Sequence, residues 1–548
     1  RLREIKFVFN PESAQQKLLL VDILSRMKPV SLNSLKHYHD ALLFLSAFPD
    51  SPMLAYKTSE ELNRLKRFLR FSGKKTALTN TGCAFTRLSW KPSIEALRWC
   101  LNYSDNLNYS VKSKKKMEEL TVLLCSKSEW DSLLDTEITF QQWMNRLQGK
   151  EKNRPAQILK AWLNRFEKLN VIPAARDLLF DSLSLKMTCT IDEKFSLTSN
   201  KLFTGQPHFY REKTGLKQDE KLKPVYLNTK IIKRTLNSIR AALFARQKET
   251  DPVTYADERF LNGYETEDGF TVYLLSMQPE YRLPLESYIG YMVYSNGIPV
   301  CYGGGWIFYE RCEFGINIFE QFRGGPSARI LNVLMNVYRH QYGVNTFIIP
   351  PYQFGQGNRD GIKTGAFWFY YKTGFRPVND GLKALAEKEW GKMKRNKNYR
   401  TPEKILLRFT ESPMINGPSN QKPSIPELKN LSHAAIQWMA ENFSGNHKEA
   451  FNTSGNGLLI KSGMNTKGWS ASEKNFFFEL SPFVCMIPGW ENWKQSELKQ
   501  AVRLLMEKGN NEHHFIRMLQ RHQKLREEWL RSNMKEKRKI MAGAPTFA

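Results

Sequence analysis

The sequence predicts an α+β protein whose central mixed sheet and its helices are flanked by large all-α regions. Apolar residues recur every three or four positions in both flanks and every second position in the centre. The centre runs strands, helix, strand, helix, which is an α+β layer order. A chain of 548 residues exceeds one ordinary core. We therefore predict a helical N-terminal domain (1–190), a linker (191–228), a central domain (229–395) and a helical C-terminal region (396–548).

Composition excludes two classes of protein. Hydrophobic residues at 41% and aromatic residues at 12% can fill several cores, so wholesale disorder is excluded. No run approaches the roughly 18 apolar residues that a membrane-spanning helix needs, and we expect no transmembrane segment.

The 82 Lys and Arg residues outnumber the 54 Asp and Glu residues, giving a net charge of +28. Such a charge attracts nucleic acid or another polyanion, and it also serves general solubility; both interpretations stay open.

The seven cysteines are scattered, and no two of them form a CxxC pair. The nine histidines include no spacing that suits zinc, so we expect no metal. Free thiols fit a reducing compartment. The expected location is therefore the cytoplasm.

The predicted helices of the flanks follow from their apolar spacing. Ser34 is the predicted N-cap of the helix that carries Leu35, Tyr38 and Leu42. Further periodic segments of the N-terminal flank lie at 60–71, 94–101, 117–125 and 158–169, and a helix predicted over 229–247 begins the central domain. After the centre, Thr401-Pro402 marks a helix start, and an apolar stripe predicts a last helix over 512–538. Stretches rich in Gly, Ser, Asn and Pro at 412–426 and 452–470 are predicted linkers.

The central strands are predicted from alternation and turn chemistry. Apolar runs at 270–275, 288–294 and 298–302 alternate, and Asn296-Gly297 joins the last two as a hairpin turn. A further strand at 314–319 precedes a glycine-rich turn and a helix over 327–341, which Gly343 ends. A strand at 346–349 and an aromatic helix ending at Gly374 complete the centre.

The turn Gln321-Phe-Arg-Gly-Gly-Pro-Ser-Ala328 joins a strand to a helix. Its glycines let the backbone approach a ligand, and the helix start offers free N–H groups, which together suit a pyrophosphate. The same turn resembles the [Arg/Gln]-x-x-Gly-x-[Gly/Ala] loop that binds the coenzyme A pyrophosphate in N-acyltransferases of the GNAT superfamily. Arg323 and Ala328 match that loop. Pro326 replaces the middle glycine and lacks an N–H donor.

A second match is the family's Ala-x-x-x-Tyr-x-x-x-Gly-Phe helix. Ala366, Tyr370, Gly374 and Phe375 agree at every fixed position. The resemblance implies that Tyr370 is the general acid that protonates the coenzyme A thiolate. The competing interpretation is an aromatic core position. Lys363 stands where the family often has asparagine, so that contact is not carried over.

The resemblance also implies a coenzyme site and suggests where a base would lie. Acetyl-CoA or another acyl-CoA is the implied co-substrate, bound by Ile318, Arg323, Gly324, Gly325, Ser327 and Ala328. Glu313 and Glu320 are candidate bases by position. The glycines at 303–305 are predicted to be bulges or bends, or to leave room for a pantetheine arm.

The predicted function is transfer of an acyl group from acyl-CoA to an amine acceptor that the sequence leaves open. One alternative is an aminoacyl-tRNA-dependent transferase, for which the +28 charge is suited. The other is a non-catalytic polyanion- or protein-binding protein that keeps the fold. The resemblance covers the centre only; the chain otherwise resembles bacterial proteins to which no activity is attached.

Overall fold

A computed structural model describes residues 1–28, 31–103, 107–134, 139–146, 155–202, 207–210, 220–418 and 425–531. Residues 203–206 and 211–219 of the predicted linker, and 532–538 of the predicted last helix, lie outside these ranges. Helices and a mixed sheet occur together, so the predicted α+β class is confirmed.

The elements are numbered in chain order. The helices are α1 (Leu2–Ile5), α2 (Pro11–Ser25), α3 (Leu32–Ala47), α4 (Pro52–Phe71), α5 (Ile94–Tyr103), α6 (Lys114–Val122), α7 (Lys127–Leu134), α8 (Phe140–Arg146), α9 (Pro155–Phe166), α10 (Pro173–Ser182), α11 (Glu193–Asn200), α12 (Thr229–Ala245), α13 (Asp251–Thr254), α14 (Ser327–Tyr342), α15 (Arg359–Thr364), α16 (Ala366–Lys372), α17 (Asp380–Arg395), α18 (Glu403–Phe409), α19 (Leu428–Phe443), α20 (His447–Ser462), α21 (Ala471–Leu480), α22 (Pro482–Cys485), α23 (Gln495–Asn510) and α24 (Glu512–Arg521). The strands are β1 (Arg87–Trp90), β2 (Leu107–Ser110), β3 (Lys186–Thr190), β4 (Lys223–Pro224), β5 (Asn262–Glu265), β6 (Phe270–Ser276), β7 (Ser287–Ser295), β8 (Ile298–Phe308), β9 (Arg311–Ile318), β10 (Thr346–Ile349), β11 (Arg376–Pro377) and β12 (Met414–Asn416).

The large sheet has nine strands in the order β11-β12-β10-β9-β8-β7-β6-β5-β4. Strands β4 to β9 form an antiparallel meander, and β10 lies parallel to β9. A parallel neighbour requires a crossover, and α14 supplies it. The sheet therefore changes from antiparallel to parallel pairing at β9, the strand that leads into the glycine-rich turn.

Two predicted features of the centre are confirmed in detail. Asn296 and Gly297 have φ of 49° and 74°, the left-handed values that a tight hairpin turn between twisted strands requires. The helix predicted over 327–341 is α14, and Gly343 ends it with φ of 65°. The apolar face of α14 is buried, so the helix packs on the sheet it crosses.

The prediction that the flanks are all-α is wrong. Strands β1, β3 and β2 form a separate three-stranded antiparallel sheet inside the N-terminal region. In the C-terminal region, β12 lies within a predicted linker and inserts between β10 and β11 of the large sheet. Strands of three to five residues are too short to display alternation. Their pairing depends on partners that lie far away in the sequence.

Three helix boundaries also differ from the predictions. Ser31 is the N-cap of α3, and Ser34 is the third residue of the helix. Each of the two serine side chains accepts a hydrogen bond from the backbone N–H of the other serine. The predicted linker 452–470 is partly helical, because α20 runs through it to Ser462. Gly455 lies where any Cβ would collide with Phe478, so this glycine permits close helix packing. The predicted last helix is interrupted at His522, which has non-helical ψ of 77°.

Buried side chains fall into two clusters. The first joins α1–α4, the large sheet and the C-terminal helices. The second belongs to residues 88–195 together with three residues of α12. The N-terminal helices α1–α4 therefore pack as part of the body that carries the candidate site. Among the helices that the structure describes, none has both the length and the apolar character to cross a membrane.

Candidate functional site

The candidate site is a cleft where β9 and β10 separate. The two strands pair only from Arg311–Thr346 to Glu313–Ile348. Beyond that point Ile349 pairs with Met414 of β12 and no longer with β9. The rest of β9, residues 314–318, pairs with β8 on its other edge. Within the described ranges that stretch therefore has one strand edge without a strand partner, and its backbone groups can receive an extended ligand.

Tyr370 lies on α16, whose position is set by glycines at both ends. Gly365 precedes the helix with φ of 63°, and Gly374 follows it with φ of 97°. The Tyr370 side chain is 3% exposed and packs edge-on against Phe354 and Phe375. Its phenol oxygen has no hydrogen-bond partner among the residues that the structure describes. The ring is therefore part of the core, and the hydroxyl is unengaged.

The surroundings of Tyr370 raise the pKa of its phenol. Burial raises the pKa of the Tyr370 phenol well above its usual range, and the nearby Cys301 thiol adds a smaller effect of the same sign. Cys301 pairs with Ile318 at the end of β9. The phenol is therefore protonated at neutral pH and lies on the sheet face that Cys301 and Ile318 share.

Glu313 is not brought to this face. Side chains alternate along a strand, and Glu313 is an odd number of positions from Ile318 on the regular strand β9. The Glu313 side chain is exposed and points to the face opposite Cys301. Glu320, the other candidate base, is exposed and lies 3.5 Å from the Lys36 ammonium. Neither carboxylate contacts Tyr370.

The glycine-rich turn connects β9 to α14, and several of its backbone groups form hydrogen bonds within the turn. Gly324 N–H donates to Ser327 Oγ at 3.1 Å, and Ser327 N–H donates to the Gly324 carbonyl at 3.0 Å. Arg323 Nε donates to the Ile318 carbonyl at 3.2 Å. Pro326 is the N-cap of α14 and has no N–H. Fewer backbone donors are therefore free for an anion than the sequence suggests, and those of Gly325 and Ala328 remain.

The N-terminal segment covers this turn. Gly324 has φ of 99°, and the Phe7 ring lies 2.9 Å from the place a Cβ would occupy. Phe7 in turn packs edge-on against Phe44 of α3 at 5.1 Å between ring centroids. Lys6 Nζ donates to the Gln321 carbonyl at 3.3 Å. No pattern in the sequence predicts this contact, because residues 6–7 and 321–324 are joined only by tertiary packing.

The glycines of β8 accommodate side chains of the sheet. Pairing of β7 with β8 is regular from Ser287 to Val293, so the expected bulge at Gly303 to Gly305 does not occur. A Cβ at Gly303 would collide with the Gly315 carbonyl, and one at Gly304 with the Tyr288 ring. Their absence lets the Tyr291 hydroxyl pass Gly303 and donate to the Gly315 carbonyl at 2.7 Å. Tyr291 thus fixes the segment of β9 that has one open edge, a role that sequence reasoning missed.

The fold and the cleft define an α+β protein with a parallel pair of strands that diverges beside a buried tyrosine. In comparisons with protein-family models, curated proteins and solved structures, no match to the chain was found. Within the described residues no group of three or more His, Cys, Asp and Glu side chains could hold a metal ion. The geometry of the cleft is the basis for a functional hypothesis.

Proposed function

We propose that the protein transfers an acyl group from acyl-coenzyme A to an amine. The observation that carries the proposal is the unpaired edge of β9 with a protonated, unengaged phenol beside its end. A pantetheine arm is an extended amide chain, and an open strand edge offers it the backbone donors and acceptors that a further strand would use.

The proposed chemistry uses the hydroxyl of Tyr370. An amine nitrogen attacks the thioester carbonyl, a C–N bond forms and the C–S bond breaks. The departing thiolate takes the Tyr370 proton, and the proton that the amine nitrogen gives up replaces it on the phenolate. The raised pKa keeps the phenol protonated at neutral pH, so the hydroxyl carries a proton when the thiolate departs. Glu313 is assigned no step, because it projects from the other face of β9.

The turn between β9 and α14 is the proposed site for the coenzyme phosphates. Gly325 and Ala328 supply backbone donors at a helix start, and Arg323 is exposed beside them. Because the Gly324 N–H already donates to Ser327 Oγ, we expect the pyrophosphate to bind weakly unless the turn rearranges.

Calorimetry with acetyl-CoA, butyryl-CoA and octanoyl-CoA tests the proposal. We expect saturable binding of at least one of them, and release of free coenzyme A when a panel of small amines is added. Absence of binding for all three chain lengths would overturn it. Free coenzyme A and dephospho-coenzyme A serve as controls that separate the contribution of the acyl group from that of the phosphates.

A second candidate for the acyl donor follows from the hydrogen bonds within the glycine-rich turn, which leave few backbone donors for a pyrophosphate. An aminoacyl-tRNA presents an activated acyl group without a coenzyme pyrophosphate, and the +28 charge suits an RNA partner. This alternative predicts that RNA co-purifies with the chain and that its affinity falls steeply as salt increases. If neither acyl-CoA nor RNA binds, the results favour the alternative of a non-catalytic polyanion- or protein-binding protein.

A further inference from the structure

A cavity of about 930 Å³ lies between the N-terminal helices and the turns of the large sheet. Helices α3, α4 and α11 form one side, and the β5–β6 and β7–β8 turns form the other. This volume is typical of small-molecule sites. The Tyr370 cleft is separate, since neither Tyr370 nor Ile318 lines this cavity.

The walls combine apolar side chains with polar and charged ones, among them Lys66, Glu193 and Glu265. Exposed side chains Tyr56 and Leu197 mark the mouth. Deeper apolar contacts come from both sides of the cavity, namely Leu43, Leu62, Phe270 and Ile298. These four apolar side chains can contact an uncharged hydrocarbon group.

One wall carries a thiol beside an imidazole. Cys83 and His39 both line the cavity, with 8% and 4% of their surfaces exposed. His39 Nδ1 lies 4.0 Å from Asp40 Oδ1, and both atoms are buried without a hydrogen-bond partner among the described residues. Burial lowers the pKa of the His39 imidazole, but interactions with Asp40 and Cys83 outweigh it and raise the pKa to about 9. The imidazole is thus poised to hold a proton next to the thiol.

The backbone around Cys83 is held in place. Cys83 N–H donates to Thr81 Oγ1 at 3.3 Å, and Thr86 Oγ1 donates to the Cys83 carbonyl at 2.7 Å. Asn200 Nδ2 donates to the Gly82 carbonyl at 2.8 Å. A fixed backbone and a cavity in front of the thiol are what a nucleophile needs in order to meet its target at a constant angle.

The other thiols have different surroundings. Burial raises the pKa of each of them, to about 11 in two cases, which suppresses the reactive thiolate. None of them lines this cavity. They are Cys100, Cys125, Cys189, Cys301, Cys312 and Cys485.

We propose that Cys83 and His39 form a second reaction centre, which accepts an acyl group from a small ester or thioester. The Cys83 sulfur attacks the carbonyl carbon, so a C–S bond forms and the bond from that carbon to the leaving group breaks. His39 gives the proton that it holds to the leaving alcohol or thiol and regains one from the Cys83 thiol. The products are S-acyl-Cys83 and the free alcohol or thiol, and no other reactant is consumed.

The reactivity of the native chain tests the proposal without any variant. Limiting iodoacetamide at neutral pH, followed by peptide mass mapping, ranks the seven cysteines by rate. We expect Cys83 to be alkylated about ten-fold faster than any other. The ester p-nitrophenyl acetate should release one burst of p-nitrophenolate per chain and leave the acetyl group on Cys83. Alkylation of another cysteine first, or alkylation of Cys83 without any burst, overturns the proposal.

Variants then separate the roles of the two side chains. Cys83→Ala should abolish the burst, and His39→Gln should slow alkylation of Cys83 about ten-fold or more. His37→Gln on the same helix is the matched control and should keep the native rate. Circular dichroism checks that each variant is folded. An unchanged Cys83 rate in folded His39→Gln protein would remove His39 from the centre.

Discussion

The β9 cleft and the Cys83 cavity are built in opposite ways. The cleft gathers residues from one continuous stretch, Phe314 to Tyr370, in which strand, turn and helix follow in order. The cavity gathers residues from His39 to Ile298, on helices and turns that have no local relation to one another. A site built from consecutive elements leaves a spacing pattern in the sequence. A site built by tertiary packing leaves only single residues of the right type.

The largest expected effect concerns Tyr370. Tyr370→Phe keeps the ring in its aromatic surroundings and removes only the unengaged hydroxyl. If the phenol protonates a leaving thiolate, turnover should fall about 10²- to 10⁴-fold, with acetyl-CoA affinity unchanged. Release of free coenzyme A with an accepted amine, measured beside calorimetry, separates the two quantities.

Tyr371→Phe provides the control on the same helix. Tyr371 is also buried, and Arg376 lies 3.9 Å from its ring centroid, a contact that phenylalanine retains. The Tyr371→Phe variant should therefore keep the native turnover. Equal losses in both variants would mean that the hydroxyls act through packing, and the cleft would lose its general acid. Alkylation of Cys83 should stay at its native rate in both proteins, since the cavity wall contains neither side chain.

These sites show what the sequence could and could not predict. Apolar periodicity and a left-handed glycine were sufficient for α14, because both signals are local. Three-residue β12 was missed because its strand state depends on neighbours β10 and β11. The Ala366–Phe375 pattern located Tyr370 but could not show that Phe7 covers the preceding turn. Cys83 was one of seven scattered cysteines until the fold placed His39 beside it.

The next effect tests whether the β8 glycines serve packing. Gly304→Ala would force a methyl group into the Tyr288 ring, so we expect a loss of about 1–3 kcal/mol in the free energy of unfolding. In a Tyr288→Leu background the loss should shrink, because the smaller side chain leaves room. A double-mutant cycle by urea denaturation measures this coupling. Additive losses would show that another contact makes the glycine necessary.

A smaller effect is expected at the turn that Phe7 covers. Gly324→Ala meets both a left-handed φ of 99° and the Phe7 ring, so it should destabilise the protein by about 1–2 kcal/mol. Gly357→Ala is the matched control: its φ is 65° and nothing lies within 4 Å of its Cβ position. It should cost less, from backbone strain alone. Equal costs would indicate that the Phe7 contact contributes nothing.

Lys6 links the two regions. Its ammonium donates to Gln321 beside the cleft and interacts electrostatically with Asp40 beside the cavity. It also lies 4.7 Å from the Phe44 ring centroid. Burial lowers the pKa of Lys6 from 10.5 to about 8, although Asp40 raises it. The charge of Lys6 therefore acts on the turn beside the cleft and on the helix that carries His39.

The smallest effect follows from the sign of that shift. Above about pH 8 the folded chain loses the Lys6 proton, while the unfolded chain keeps it until about 10.5. The unfolded state then binds more protons, so Lys6 makes stability rise as the pH increases from 8 to 9.5. Lys6→Met should remove this rise, which we expect to be about 1 kcal/mol at most after allowance for solvent screening. Urea midpoints at both pH values, compared between native and variant chains, measure the difference. An identical pH dependence in the two chains would mean that Lys6 stays solvated, and that the N-terminal segment covers the turn less closely than Phe7 and Gln321 indicate.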